Sequence, residues 1–167
     1  IGRRAHELFR DERGDRARIW ETYRSALGEE GDALRGKSVF ERTCATCHAP
    51  RRGRAVGPDL SGVSSRTKAQ LLEDILNPSK SIQARYTNYV IITRDGKIHD
   101  GLIVSETPGT LTLRRSEGPD ETFLRANITQ IRSSSVSLMP DGLEQDMSAR
   151  DVSDLIAFLQ GANLNTR

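Results

Sequence analysis

The residues whose types and spacing carry chemistry are Cys44, Cys47 and His48, in the run Cys44-Ala45-Thr46-Cys47-His48. Two cysteines separated by two residues and followed at once by a histidine form the C-x-x-C-H pattern of covalent haem attachment. The spacing lets both sulfurs reach the vinyl groups on one porphyrin edge, while the adjacent imidazole falls beneath the iron as an axial ligand. These are the only two cysteines in the chain. A closed zinc site needs four Cys or His ligands in paired clusters, and the other histidines, His6 and His99, lie far off in sequence. A thioredoxin-like dithiol needs a strand before the motif and a helix starting at its first cysteine. Here a helical pattern runs into Cys44 from upstream, so haem attachment leads and a redox dithiol is the alternative.

The elements that must position these groups come from a chain of 167 residues, enough for one domain with a substantial core or two small ones. Apolar residues make up 35% and aromatics 5%, low for a self-sufficient core, and a covalently held apolar disc would supply buried surface that the side chains do not. The net charge of +2 gives no general bias toward nucleic acid or membranes. No apolar run approaches the roughly 20 residues that span a bilayer. The start Ile1-Gly2-Arg3-Arg4 is no signal peptide and lacks an initiating Met, so the expectation is a processed chain or a piece of a longer one.

Residues 1–31 read as a charge-rich helical extension: Asp15 stands as a cap, Ile19, Trp20, Tyr23 and Leu27 recur at helical spacing, and Gly28 ends the run. His6, among charges, reads as a surface residue. Asp32 is the expected N-cap of a second helix that carries Gly36, Val39 and Phe40 and delivers Cys44. Glycine inside a helix costs about 1 kcal/mol against alanine, so Gly36 implies close approach by another backbone. The expected partner is the last helix, where Ser148 and Asp151 form a capping-box-like start, Val152, Leu155, Ile156 and Leu159 an apolar face, and Gly161 the end. Thr67 and Gln70 likewise cap a short helix with Leu71, Leu72, Ile75 and Leu76, stopped by Asn77-Pro78.

From Tyr86 to about Arg132 the period becomes that of strands. Tyr89 to Thr93, Ile98 to Ser105, Thr110 to Arg114, Thr122 to Leu124 and Ile128 to Ile131, separated by Gly- and Pro-containing turns, predict an antiparallel meander of five strands. Leu111 and Leu113 alternate with Thr110, Thr112 and Arg114, so one face is buried and one wet.

The landmarks Gly36-Lys37-Ser38-Val39-Phe40, Cys44 to His48, Val56-Gly57-Pro58-Asp59-Leu60 and Leu155-Ile156-Ala157-Phe158-Leu159 resemble, in order, those of class I cytochrome c. The resemblance implies that the first and last helices of that fold cross near the glycine and the aromatics, and that Gly57, Pro58 and Leu60 contact the cofactor. It also implies that the Pro58 carbonyl receives the ring N–H of His48, fixing its tautomer. The sixth iron ligand it places at Met139, in the loop Ser137-Leu138-Met139-Pro140; Met147, beside the last helix's cap, reads as packing. The 91 positions from His48 to Met139 include the 47 of 86–132, and the remaining 44 suffice for a minimal haem-wrapping chain. The expected fold is therefore a mainly α cytochrome c fold, formed by 32–85 and 133–167, with 86–132 as an inserted β meander, α+β overall.

A closer similarity runs through Gly57 to Leu60, Leu71 to Pro78, Tyr89 to Gly96, Ser137 to Leu143 and Asp154 to Leu159. It is to the C-terminal haem-binding domain of exported proteins of the Planctomycetes and Verrucomicrobia type. That resemblance implies one haem c held by Cys44 and Cys47 and ligated by His48 and Met139, a periplasmic or exported location, and outer-sphere single-electron transfer. The chain would then be a carrier, free or as one domain of a larger dehydrogenase, rather than itself an enzyme. Its partner would be a redox protein or a fused dehydrogenase domain. Two alternatives stand: a haem enzyme or a gas or peroxide sensor whose methionine leaves the iron, and a binding module centred on the β insertion. Arg51, Arg52 and Arg54 form either a solvated loop or a docking patch for an acidic redox partner. Nucleic acid is not expected, because no aromatic stacking platform accompanies the arginines.

Overall fold

The computed structural model describes residues 16–48, 54–116 and 118–161. The chain is mixed α+β and divides into two compact units, Ile1–Thr43 with Leu60–Asn77 and Asp141–Arg167, and Cys44–Asp59 with Pro78–Pro140. His6, the capping role of Asp15, and Arg51 and Arg52 lie outside the described residues.

The first unit is helical. Helix α1 (16–23) runs into a 3-10 turn, Arg24–Leu27, that ends at Gly28. The expected single helix thus tightens in its last turn, as helix ends do where their carbonyls lack partners. Helix α2 (Ala33–Thr43) starts where Asp32 Oδ1 accepts the amides of Leu34 and Arg35, at 2.8 and 3.1 Å. Its buried face, Gly36, Val39 and Phe40, packs on the last helix, α5 (Ala149–Gly161), whose Val152, Leu155, Ile156 and Leu159 are buried. Helix α3 (Ala45–His48) belongs to the second unit, and α4 (Lys68–Leu76) to the first, with Leu71, Leu72, Ile75 and Leu76 buried. Reciprocal capping boxes start α4 and α5: Thr67 with Gln70, and Ser148 with Asp151. Gly161 is the last helical residue rather than the one after it.

At Gly36 the backbone of α2 lies directly against α5. A Cβ built there would fall on the carbonyl oxygen of Asp154 and 2.8 Å from the Cβ of Phe158. Beside it the Phe40 and Phe158 rings pack with centroids 5.3 Å apart.

Asp154, 2% exposed, ties the start of α2 to α5. It accepts two bonds from Arg35, at 2.7 and 3.0 Å, and one from the Asp32 amide at 2.6 Å. The Arg35 guanidinium is the main cause that holds the Asp154 carboxyl below its ordinary value of 3.8. A depressed carboxylate contributes stability that is present above its unfolded pKa and lost as pH falls through the folded one. Asp154→Asn is expected to cost about 2 kcal/mol at neutral pH. Breaking a fully buried pair costs about 3–5 kcal/mol, and half-exposed Arg35 reduces that. Thermal unfolding midpoints at pH 7 and pH 3 check this: wild type should lose more between the two than the variant. Equal losses would remove Asp154 as the source.

The second unit holds five antiparallel strands: β1 (Tyr89–Thr93), β2 (Ile98–Glu106), β3 (Thr110–Arg114), β4 (Glu121–Leu124) and β5 (Ile128–Ser133). They are ordered β4-β3-β2-β1-β5. Only the first four make a meander. The fifth crosses back to pair with β1, with Ile91 opposite Ile131, instead of extending the sheet beyond β4. Its return is set by Arg94, whose amide donates to the Asn127 carbonyl (2.8 Å) and whose Nε donates to that of Ala126 (2.6 Å). These bonds draw the 3-10 turn Arg125–Asn127 onto the end of β1. Ile91, Leu111, Leu113 and Phe123 form the buried core of this unit, with Ile103 and Ile128 against it. Residues 44–48 and 54–59 belong to the same unit as this sheet, and Arg54 reaches the β3–β4 turn.

Candidate functional site

The site is built on the short turn that follows α2. The amides of Cys47 and His48 both donate to the Cys44 carbonyl, at 3.2 and 3.0 Å, and α3 thereby places Cys44, Cys47 and His48 on one helical turn. All three are half-buried. The chain returns to this turn at Val56–Pro58. The Gly57 amide donates to the Cys47 carbonyl at 3.1 Å, and the Pro58 carbonyl lies 2.8 Å from His48 Nδ1. A carbonyl can only accept, so Nδ1 carries the proton and Nε2 keeps its lone pair for a metal. Burial pushes the His48 imidazole below its ordinary value of 6.5, and the bond to Pro58 opposes that.

Gly57 lies flat against the imidazole. A Cβ there would be 2.6 Å from the ring's Cε1 and 2.7 Å from its Nδ1, so the cradle admits the ring only because position 57 has no side chain. Buried Val56 precedes it. Two thiols one turn apart, an imidazole with its outer nitrogen held, and a backbone wall on the ring form a donor set that suits a covalently attached haem. Among the described residues no group of three or more His, Cys, Asp or Glu side chains could hold a metal ion, which leaves a closed zinc site without ligands.

Residues 33–91 match the family model of cytochrome c. The match supports a cytochrome c domain, and that family's cofactor is haem c, bound covalently through cysteine; Cys44 and Cys47 are the two cysteines available for it. A cytochrome c-553-like protein of Synechocystis sp. is 45% identical over 40 residues, 24% of this chain and 38% of the relative. The chain thus spans well under half the length of that relative.

The remaining residues that the sequence singled out sit on separate segments. Leu60, half-buried, belongs to the first unit, where its carbonyl accepts the Val63 amide at 3.2 Å. Met139, half-buried, lies in the second unit on a loop pinned at two points. The Ser137 amide donates to Ser79 Oγ, and Ser137 Oγ accepts the Met139 amide, both at 3.1 Å. Met147 is buried in the first unit, and its carbonyl and that of Glu144 share the Tyr23 hydroxyl proton, at 2.9 and 2.6 Å. His99 is on β2, edge-on to Phe123 with centroids 4.6 Å apart and with Nδ1 3.3 Å from Glu121.

Sequence reasoning missed Asp120 and what it does to Arg54. Arg54 donates to the Gly118 carbonyl at 2.9 Å and to Asp120 at 2.5 Å, and Arg114 forks onto the same carboxylate at 3.1 and 3.0 Å. Arg114 first and Arg54 second hold the Asp120 carboxyl down at about 2. The turn signal around Gly118 was visible, but nothing local to Arg54 names a partner 66 residues away.

Proposed function

We propose that this chain is a c-type electron-transfer module whose single haem c would supply one-electron redox chemistry. Cys44 and Cys47 would hold that group covalently, and His48 Nε2 and the Met139 thioether would be its protein ligands. The observation that carries the reading is the His48–Pro58 bond inside a C-x-x-C-H turn, because it fixes the tautomer and orientation that a proximal iron ligand needs. The pinned Ser137–Met139 loop supports Met139, since a ligating thioether would have to be held in one place. With His48 and Met139 both serving as ligands, the group would supply outer-sphere transfer of one electron rather than turnover of a bound substrate.

An exported or periplasmic location accords with the c-553-like relative, and no helix among the described residues is long and apolar enough to cross a membrane. The partner would be a redox protein or a dehydrogenase domain of the same polypeptide. A reduced-minus-oxidised absorption spectrum of the matured protein tests this directly: sharp bands of a six-coordinate low-spin haem are expected. Met139→Ala should remove the thioether signature and lower the midpoint potential, because methionine favours the reduced metal. An unchanged spectrum and potential would take Met139 out of the site, and rapid carbon monoxide binding to the intact protein would favour a sensor or enzyme.

A further inference from the structure

We infer that Arg54 and Asp120 are positioning residues for the proximal histidine, and that through them the five-stranded sheet acts as the anchor of the haem-binding turn. The inference rests on the electron-transfer reading above and adds a task for the β segment. Three observations within one compact unit carry it.

The first is the tether itself. Arg54 spans from the segment that cradles His48 to the β3–β4 turn, where it bonds both a backbone carbonyl and a carboxylate. Its partner is in turn held to the sheet: Asp120 is gripped by both nitrogens of the Arg114 fork, and Arg114 closes β3. The carboxylate therefore faces two guanidiniums, which keeps it ionised, and it is three-quarters buried. Such a pair is screened less than an open surface one.

The second observation is the short lever arm. Three residues after Arg54 comes the Gly57 amide, bonded to the Cys47 carbonyl, and the next residue's carbonyl orients the imidazole. Freeing Arg54 loosens the segment that carries Pro58. The third is where the segment's bonds lead: Gly57 and Pro58 bond the motif turn, and Arg54 bonds Gly118 and Asp120, so 54–58 bridges the two. Arg54 is thereby committed to the sheet.

The test uses the matured protein and the variants Arg54→Ala, Asp120→Ala and the double mutant. The readout is solvent exchange of the His48 Nδ1 proton, followed by NMR in the reduced state. Exchange should quicken about tenfold in each single variant, the size of one lost charge-assisted bond, and the double mutant should match the singles instead of multiplying them. Arg54→Lys should recover part of the protection, and Arg94→Ala, which cuts a different bond of the sheet, should leave it unchanged. Resonances of Leu111, Leu113 and Phe123 verify that the sheet core persists. Exchange equal to wild type in both single variants overturns the inference while leaving the haem assignment standing. A matured wild-type protein without haem overturns both, and a double mutant whose effect is the product of the singles overturns the tether.

Discussion

Gly57→Ala is expected to cut the yield of correctly ligated haem protein severely while the α2–α5 helix pair stays folded. The added methyl would sit 2.6 Å from His48 Cε1 and 2.7 Å from Nδ1, inside the contact distance of any real Cβ, and both sides resist. On one side the Gly57 amide is tied to the Cys47 carbonyl; on the other the ring is tied to Pro58, one residue further on. Relief requires the imidazole to tilt, which stretches the Nδ1 bond and turns Nε2 away from the axis an iron ligand needs. Loss of such a supporting contact costs about 10–100-fold in metal affinity or activity. Absorption per unit of purified protein measures occupancy, and circular dichroism measures helix content. Normal occupancy with a normal low-spin spectrum would show that the cradle is not selective for glycine.

Gly36→Ala carries the largest expected loss of stability. Its Cβ would coincide with a backbone carbonyl of α5, which cannot rotate aside as a side chain can. The helices must separate along their whole crossing, loosening the Phe40–Phe158 contact and the buried face of Val152, Leu155, Ile156 and Leu159. Overpacking costs about 1–3 kcal/mol where neighbours adjust, and here the obstacle is main chain, so about 3 kcal/mol or more is expected. The gain from alanine's better helix propensity, about 1 kcal/mol, does not offset it. For a chain of this length the midpoint of thermal unfolding should fall by roughly 6–12 °C. A variant as stable as wild type would mean that the two helices are not held at this distance.

The two glycines act on different units, so their effects separate cleanly. Gly36 sets how near two helices lie within the first, and Gly57 sets how one ring is held within the second. A spectrum that changes in Gly57→Ala without a large shift in unfolding, and the reverse pattern in Gly36→Ala, would distinguish site geometry from general stability.

What the chain's linear order determined is what depends on neighbours a few residues apart. The attachment motif is complete in five residues, both capping boxes close within four, and the strand spans follow from alternation, so Thr67 with Gln70, Ser148 with Asp151 and the β1 to β4 segments could all be read directly. Gly36 also announced itself, since a glycine inside a helix signals a close neighbour. Tertiary structure alone decided the rest. Alternation marks β5 as a strand, yet carries no information on which sheet edge the strand joins, and it pairs with β1, where Arg94 also bonds the turn that precedes it. Likewise a string of arginines says nothing of where each guanidinium ends: Arg54 found Asp120 66 positions on, and Arg35 found Asp154 at a separation of 119. Ion pairs of this kind form because folding has already brought their backbones together and removed water around them, so the information that specifies them resides in the packed chain and not in any window of it.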